Sequence, residues 1–146
     1  MRLFAGSEIY AMNDNNKSLD AVDRPITEQE GQLIKWLLEH GVPGSEEFIA
    51  QTDSLTVISK CRCGCPTVNF ALRGNSVLSE NKHILADYLA TVDSQDVGVI
   101  LFQREGRLSR LEVYSQAGTD KPFGLPEIEA LYPWEELSQR KAKRNP

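Results

Sequence analysis

The spacing of apolar and polar residues changes twice along the chain. Residues 1 to 24 show no period, and the polar run "NDNNKSLD" predicts a flexible lead-in. A helical period then begins. Thr27 with Glu30 three positions on forms a Thr-x-x-Glu capping box, in which each side chain satisfies the other residue's backbone N–H. Leu33, Ile34, Trp36, Leu37 and Leu38 supply the apolar stripe and Gly41 stands at the C-terminal cap, which predicts a helix over about 28–40. "PGSEEFIAQT" predicts a second, short helix. Ser45 is its N-cap, Glu46 and Glu47 lie near the positive end of its dipole, and Phe48 and Ile49 face inward.

From residue 55 the period becomes two. "SLTVISK" and "TVNFAL" alternate and are β-branched, with "CRCGCP" between them. "HILADYLATV" fits a helix or a strand, and its strand-like neighbours favour a strand. "VGVILF" is apolar on both faces, as a central strand is, and "REGR" turns the chain into "LSRLEVYS". "LPEIEALYPW" predicts a short helix that begins near Pro126 and is stopped by Pro133. The sum is an α+β fold: an antiparallel meander of about five strands, with helices at the N- and C-terminal ends packing on the sheet.

The hairpin "VGVILFQREGRLSRLEVYS" allows a register to be stated. If Glu105 and Gly106 form a two-residue primed turn, Arg104 pairs with Arg107, Phe102 with Ser109, Ile100 with Leu111 and Gly98 with Val113. Ile100, Phe102, Leu111 and Val113 then share a core face. Val97, Val99 and Leu101 share the other with Arg110, Glu112 and Tyr114. A bulge at the turn would shift the pairing by one and redistribute the faces. Arg110, Glu112 and Tyr114 are either paired at the sheet's rim or line a contact surface for a partner.

The 146 residues, 40% hydrophobic and 25% charged with a mean hydropathy of −0.37, have the composition of a soluble globular domain. The expected organisation is a lead-in over 1–24, a single α+β domain over 25–136 and a basic, disordered tail over 137–146. No apolar run is long enough for a membrane span, and the start lacks the apolar segment of a secretory signal. The cysteine count is odd and the cysteines are clustered, which suits a reducing cytoplasm better than a disulfide framework. Arg140, Lys141, Lys143 and Arg144 leave residues 1 to 139 with 12 basic and 21 acidic side chains, a net −9. Such a body repels nucleic acid and, if its field steers anything, steers a basic protein partner.

Cys61, Cys63 and Cys65 fall within five positions. The simplest account is a hairpin turn, with Gly64 and Pro66 as turn chemistry and the thiols as small apolar residues. The second is a zinc site. An extended Cys-x-Cys-x-Cys cannot wrap an ion, but a turn at Gly64 lets the thiols converge, with His83, His40 or water as fourth ligand. The third is redox chemistry, through a Cys61–Cys65 or Cys63–Cys65 disulfide, although the spacing departs from the Cys-x-x-Cys of disulfide oxidoreductases.

Other constellations carry less. His40 fits a helix C-terminus, where an imidazolium meets the negative dipole end. Glu127, Glu129, Glu135 and Glu136 read as a solvated helix face, and Trp36 and Trp134 as packing anchors. No nucleophile elbow, phosphate loop, dinucleotide fingerprint or His-Glu-x-x-His motif is present, so an enzyme is not expected.

"ITEQEGQLIKWLLEHG", "CRCGCPTVNF" and the hairpin followed by "LPEIEALYPW" together resemble a family of short bacterial proteins of uncharacterised function, over most of residues 24 to 134. That resemblance implies no catalytic residue. The strand "G-x-L-x-x-L-E-V-Y-S" also looks like segments of small bacterial immunity proteins, which neutralise toxins. Two functions are expected. One is a non-enzymatic protein-binding or regulatory module with an acidic surface, immunity-like in its most concrete form. The other is a zinc-binding protein using Cys61, Cys63, Cys65 and His83.

Overall fold

Two three-stranded antiparallel meanders meet edge to edge in one sheet. In the computed structural model, which describes residues 19–71, 82–118 and 121–144, the strands are β1 (Leu19–Pro25), β2 (Thr56–Cys61), β3 (Val68–Phe70), β4 (Lys82–Val92), β5 (Gln95–Arg104) and β6 (Arg107–Ser115). Their order is β1-β2-β3-β6-β5-β4. The short β3 joins the halves, with Val68 opposite Leu111 and Asn69 opposite Arg110. The fold is therefore α+β and antiparallel as expected, but the described residues form six strands, and they are not one meander, because the chain leaves β3 for the far edge.

The additional strand is β1, whose residues 19–24 belong to the expected lead-in. Its sequence "LDAVDRP" conceals it because, among the described residues, it is an edge strand. Polar residues and a terminal Pro are what keep an exposed edge from recruiting other chains. Residues 1–18 lie outside the described residues. The ambiguous segment before Val92 is a strand, paired with β5 along its length.

Helix α1 (Glu28–Glu39) carries the expected capping box. It buries Leu33, Ile34, Leu37 and Leu38 in one core with Val57, Val99, Leu101, Leu111 and Val113 of the sheet. Gly41 follows because a Cβ there would collide with the Leu85 carbonyl oxygen, where the Val42 N–H docks at 2.8 Å. Ser45 is not an N-cap. The 3-10 helix Ser45–Ser54 is preceded by Gly44 at φ 90°, and the buried Ser45 hydroxyl instead donates to the Leu38 carbonyl at 2.6 Å, satisfying an orphan acceptor at the end of α1.

At the second hairpin Glu105 and Gly106 both have positive φ, as a primed turn demands, and Arg104 pairs with Arg107. One step further the ladder slips. Gln103 faces Leu108 while Phe102 faces Arg110, leaving Ser109 as the extra residue of a bulge. Beyond it Leu101 pairs with Leu111 and Val99 with Val113, all fully buried. Ile100 and Phe102 fall on the other face, across from Glu112 and Arg110. The expected core face was thus half inverted, because one inserted residue exchanges the two faces of everything beyond it.

The helix expected from Pro126 to Pro133 shrinks to a 3-10 turn at Ile128–Ala130. Few residues lie between the prolines, too few to offset helix nucleation. Tyr132 instead pairs with Leu89 on the free edge of β4, through N–H···O bonds of 2.9 and 2.8 Å. Within the tail expected to be disordered, Leu137–Arg144 forms helix α2. Its Arg140 lies 3.7 Å from the Tyr132 ring centroid and bonds to Glu136.

Candidate metal centre

The cysteines occupy the connection between β2 and β3. Cys61 is the last residue of β2, opposite Leu19 of β1, and its N–H bonds to the Thr67 carbonyl, closing the loop at its base. Gly64 turns the chain at φ 99°, a conformation that favours glycine, and a Cβ there would stand 3.0 Å from Pro122. Two anchors hold the loop. Arg62 reaches outward to Asp20 (2.9 Å) and the Leu19 carbonyl on β1. On the inner side the buried Thr67 hydroxyl both donates to the Val113 carbonyl (3.0 Å) and accepts from the Val113 N–H (2.9 Å). It thus stands in for a ladder bond between β3 and β6.

With its ends fixed, the loop brings the three thiols together. Their sulfurs all lie within 4.8 Å of one another. Cys61 and Cys63 are in contact at 2.8 Å, and the Cys65 N–H donates to Cys63 Sγ at 3.3 Å. Cys65 Sγ also lies 3.5 Å from the Thr67 hydroxyl. Cys63 is exposed, and the other two are half-buried. Burial, with the sulfur contact to Cys63, pushes Cys61 up to about 12. Burial also opposes ionisation of Cys63, but hydrogen bonds from the Cys61 and Cys65 thiols and from backbone N–H groups outweigh it and hold Cys63 below the ordinary thiol value. Two bare thiolates would repel at such a distance. Only a shared proton, a cation or a bond between the sulfurs holds them there.

The histidines do not join them. His83 sits on β4 opposite Gln103, and β3, β6 and β5 separate that strand from β2. Four strand spacings of about 4.8 Å each put it out of reach. The expected fourth ligand is therefore removed. His40 stacks on Trp36 at 4.0 Å, and its Nδ1 lies 2.8 Å from the Trp36 carbonyl, at the end of α1 where a capping residue belongs. Among the described residues no further His, Cys, Asp or Glu completes the cluster.

The other candidate residues are held by neighbours. Arg110 bonds to Glu112 at 3.1 Å and to Asn69 at 3.2 Å. Tyr114 lies over Gly98 on the adjacent strand, and burial with the nearby carboxylates of Asp87 and Glu112 pushes its phenol up. Two surface recesses among the described residues hold about 80 and 60 Å³, and neither adjoins the cysteine loop. Both are far below the roughly 300 Å³ that a small-molecule site takes. Sequence reasoning missed Thr67 and the Asp20–Arg62 pair. Thr67 shows in the sequence only as a β-branched residue, and both partnerships link residues over 40 positions apart.

No helix among the described residues is long and apolar enough to cross a membrane. No family model, curated protein or solved structure matches the chain.

Proposed function

We propose that the protein binds a thiophilic divalent cation, zinc, through Cys61, Cys63 and Cys65. The observation that carries this reading is the convergence of the three sulfurs within 4.8 Å on a loop held at both ends. Zinc takes thiolate at about 2.3 Å in tetrahedral geometry, which spaces its sulfurs about 3.8 Å apart. The Cys61–Cys63 contact of 2.8 Å must therefore open by about 1 Å, and exposed Cys63 is free to move outward. Three thiolates leave a fourth position for water or for a donor from another molecule, the arrangement of an open rather than a closed site.

A module that meets a basic protein through its acidic body is the second reading. It draws on the net −9 of residues 1–139, and it predicts an association that weakens with salt. Charge supports it, but no assembled group of side chains does, since Arg110 and Glu112 already bond to each other.

The test is zinc titration of the reduced full-length chain against a chromophoric chelator, with a thiol count on the same sample. One zinc per chain, with the thiols protected and thermal stability falling on chelation, is the expected result, because metal held only by the folded state stabilises it. Serine at any of the three positions should weaken binding by at least tenfold. A chain that takes up no zinc, or takes it up equally well as Cys63→Ser, refutes the reading.

A further inference from the structure

The trio is not symmetric, and the asymmetry points to a second chemistry. Cys65 Sγ is drawn to the Thr67 hydroxyl, itself fixed by two hydrogen bonds to Val113. Cys61 and Cys63 lie sulfur to sulfur at 2.8 Å. Arg62, between them, is anchored to Asp20 and to the Leu19 carbonyl. A disulfide spans about 2.05 Å, so less than about 1 Å of closure joins this pair. Of the three, Cys63 is the one exposed to solvent.

We propose that Cys63 is a thiol-oxidation site for hydroperoxides, resolved by Cys61 as an intraloop Cys61–Cys63 disulfide. The Cys63 thiolate attacks the distal oxygen of the hydroperoxide and the O–O bond breaks. Cys63 becomes a sulfenic acid, and the alkoxide or hydroxide leaves with the electron pair. Cys61 sulfur then attacks Cys63 sulfur. The S–S bond forms, the S–O bond breaks, and the departing hydroxide takes the Cys61 proton as water. One hydroperoxide is reduced for two thiols oxidised. The Cys65 N–H, donating to Cys63 Sγ at 3.3 Å, steadies the sulfur that reacts first. The bridge closes a very small ring, which makes it strained and readily reduced by a dithiol. This inference goes beyond the zinc reading and does not need it. Where zinc occupies the trio, the same bond removes two of its three donors.

The experiment uses the full-length chain, reduced and freed of metal by chelator, with hydrogen peroxide as probe. Free thiols are blocked with N-ethylmaleimide, and the products are read by intact and peptide mass spectrometry. The expected result is loss of two of the three thiols as a monomer, a Cys61–Cys63 linkage, the maleimide on Cys65, and full recovery with dithiothreitol. Cys61→Ser should trap sulfenic acid on Cys63, detectable with dimedone, and Cys63→Ser should lose at least tenfold in thiol oxidation rate. A linkage through Cys65, a disulfide between chains, no loss of thiols, or Cys63→Ser oxidising at the parent rate overturns the proposal. Because chelator is present throughout, failure of zinc binding leaves these outcomes unchanged.

Discussion

Replacing Glu30 by Gln tests whether the start of α1 is held as its geometry says. The carboxylate is almost fully buried and makes three short hydrogen bonds. Arg24 donates to both oxygens at 2.9 Å, and the Thr27 N–H donates to one of them, also at 2.9 Å. Glutamine keeps one acceptor, enough for Thr27, but turns its NH2 toward the guanidinium, donor against donor. The Arg24 bond to Oε2 is lost, and the one to Oε1, the oxygen Thr27 also uses, survives only to a neutral carbonyl, so two charge-assisted bonds are lost or weakened. Each is worth about 1.5–3 kcal/mol when fully desolvated, a figure reduced here because the Arg24 side chain is 35% exposed. The expected cost is about 2 kcal/mol at pH 7, a fall in Tm of roughly 4–8 °C.

The pH dependence follows from the same site. Burial pushes the Glu30 pKa up, but the Arg24 and Thr27 hydrogen bonds outweigh it, so the folded value lies below the ordinary one. The unfolded chain therefore binds the proton more tightly. The stabilisation is complete above the unfolded pKa of about 4.3 and is lost as pH falls through the lower, folded value. Urea unfolding followed by tryptophan fluorescence at pH 7 and at stepwise lower pH measures both. The wild-type-minus-Glu30→Gln gap should be about 2 kcal/mol at neutral pH and close as the solution is acidified. No gap at pH 7, or a gap that stays constant into acid, would refute the reasoning.

Two further substitutions probe how the cysteine loop and the sheet are held. Thr67→Val keeps shape but leaves the Val113 N–H and carbonyl without the hydroxyl that satisfies both. A loss of about 2 kcal/mol in urea unfolding is expected, with weaker zinc uptake in the chelator competition. A neutral result would mean that water replaces the hydroxyl at no cost. Gly98→Ala places a methyl into the Tyr114 ring and should cost about 2 kcal/mol. In a Tyr114→Ala background the same change should cost less than half as much, and strict additivity in that double-mutant cycle would show that the ring does not sit on the glycine.

Features contained within a few residues were legible in the sequence. The capping box at Thr27 and Glu30 and the primed turn at Glu105-Gly106 are present as read, and the ambiguous segment "HILADYLATV" is the strand that its neighbours favoured. The convergence of the thiols was one of three accounts open in the sequence, and Gly64 supplies the turn it required. The His83 ligand failed for the opposite reason. Its distance from Cys61 depends on β3 running to β6 rather than to β4, and nothing in the spacing of residues encodes which strand edges meet.

Local chemistry thus determined most of the central elements and the turn at Gly64, since a helix cap, a primed turn and a period-two run are each specified by neighbours in the chain. Only the tertiary structure decided the faces and the company of the site. The bulge at Ser109 puts Ile100 and Phe102 on the side opposite Leu111 and Val113, although the sequence reads equally well in either register. Thr67 meets Val113 only because β3 docks on β6, and the hydroxyl so fixed is the one that Cys65 Sγ contacts. Long-range contacts of this kind are chosen by the burial of the whole apolar face, a quantity that no short stretch of the chain contains.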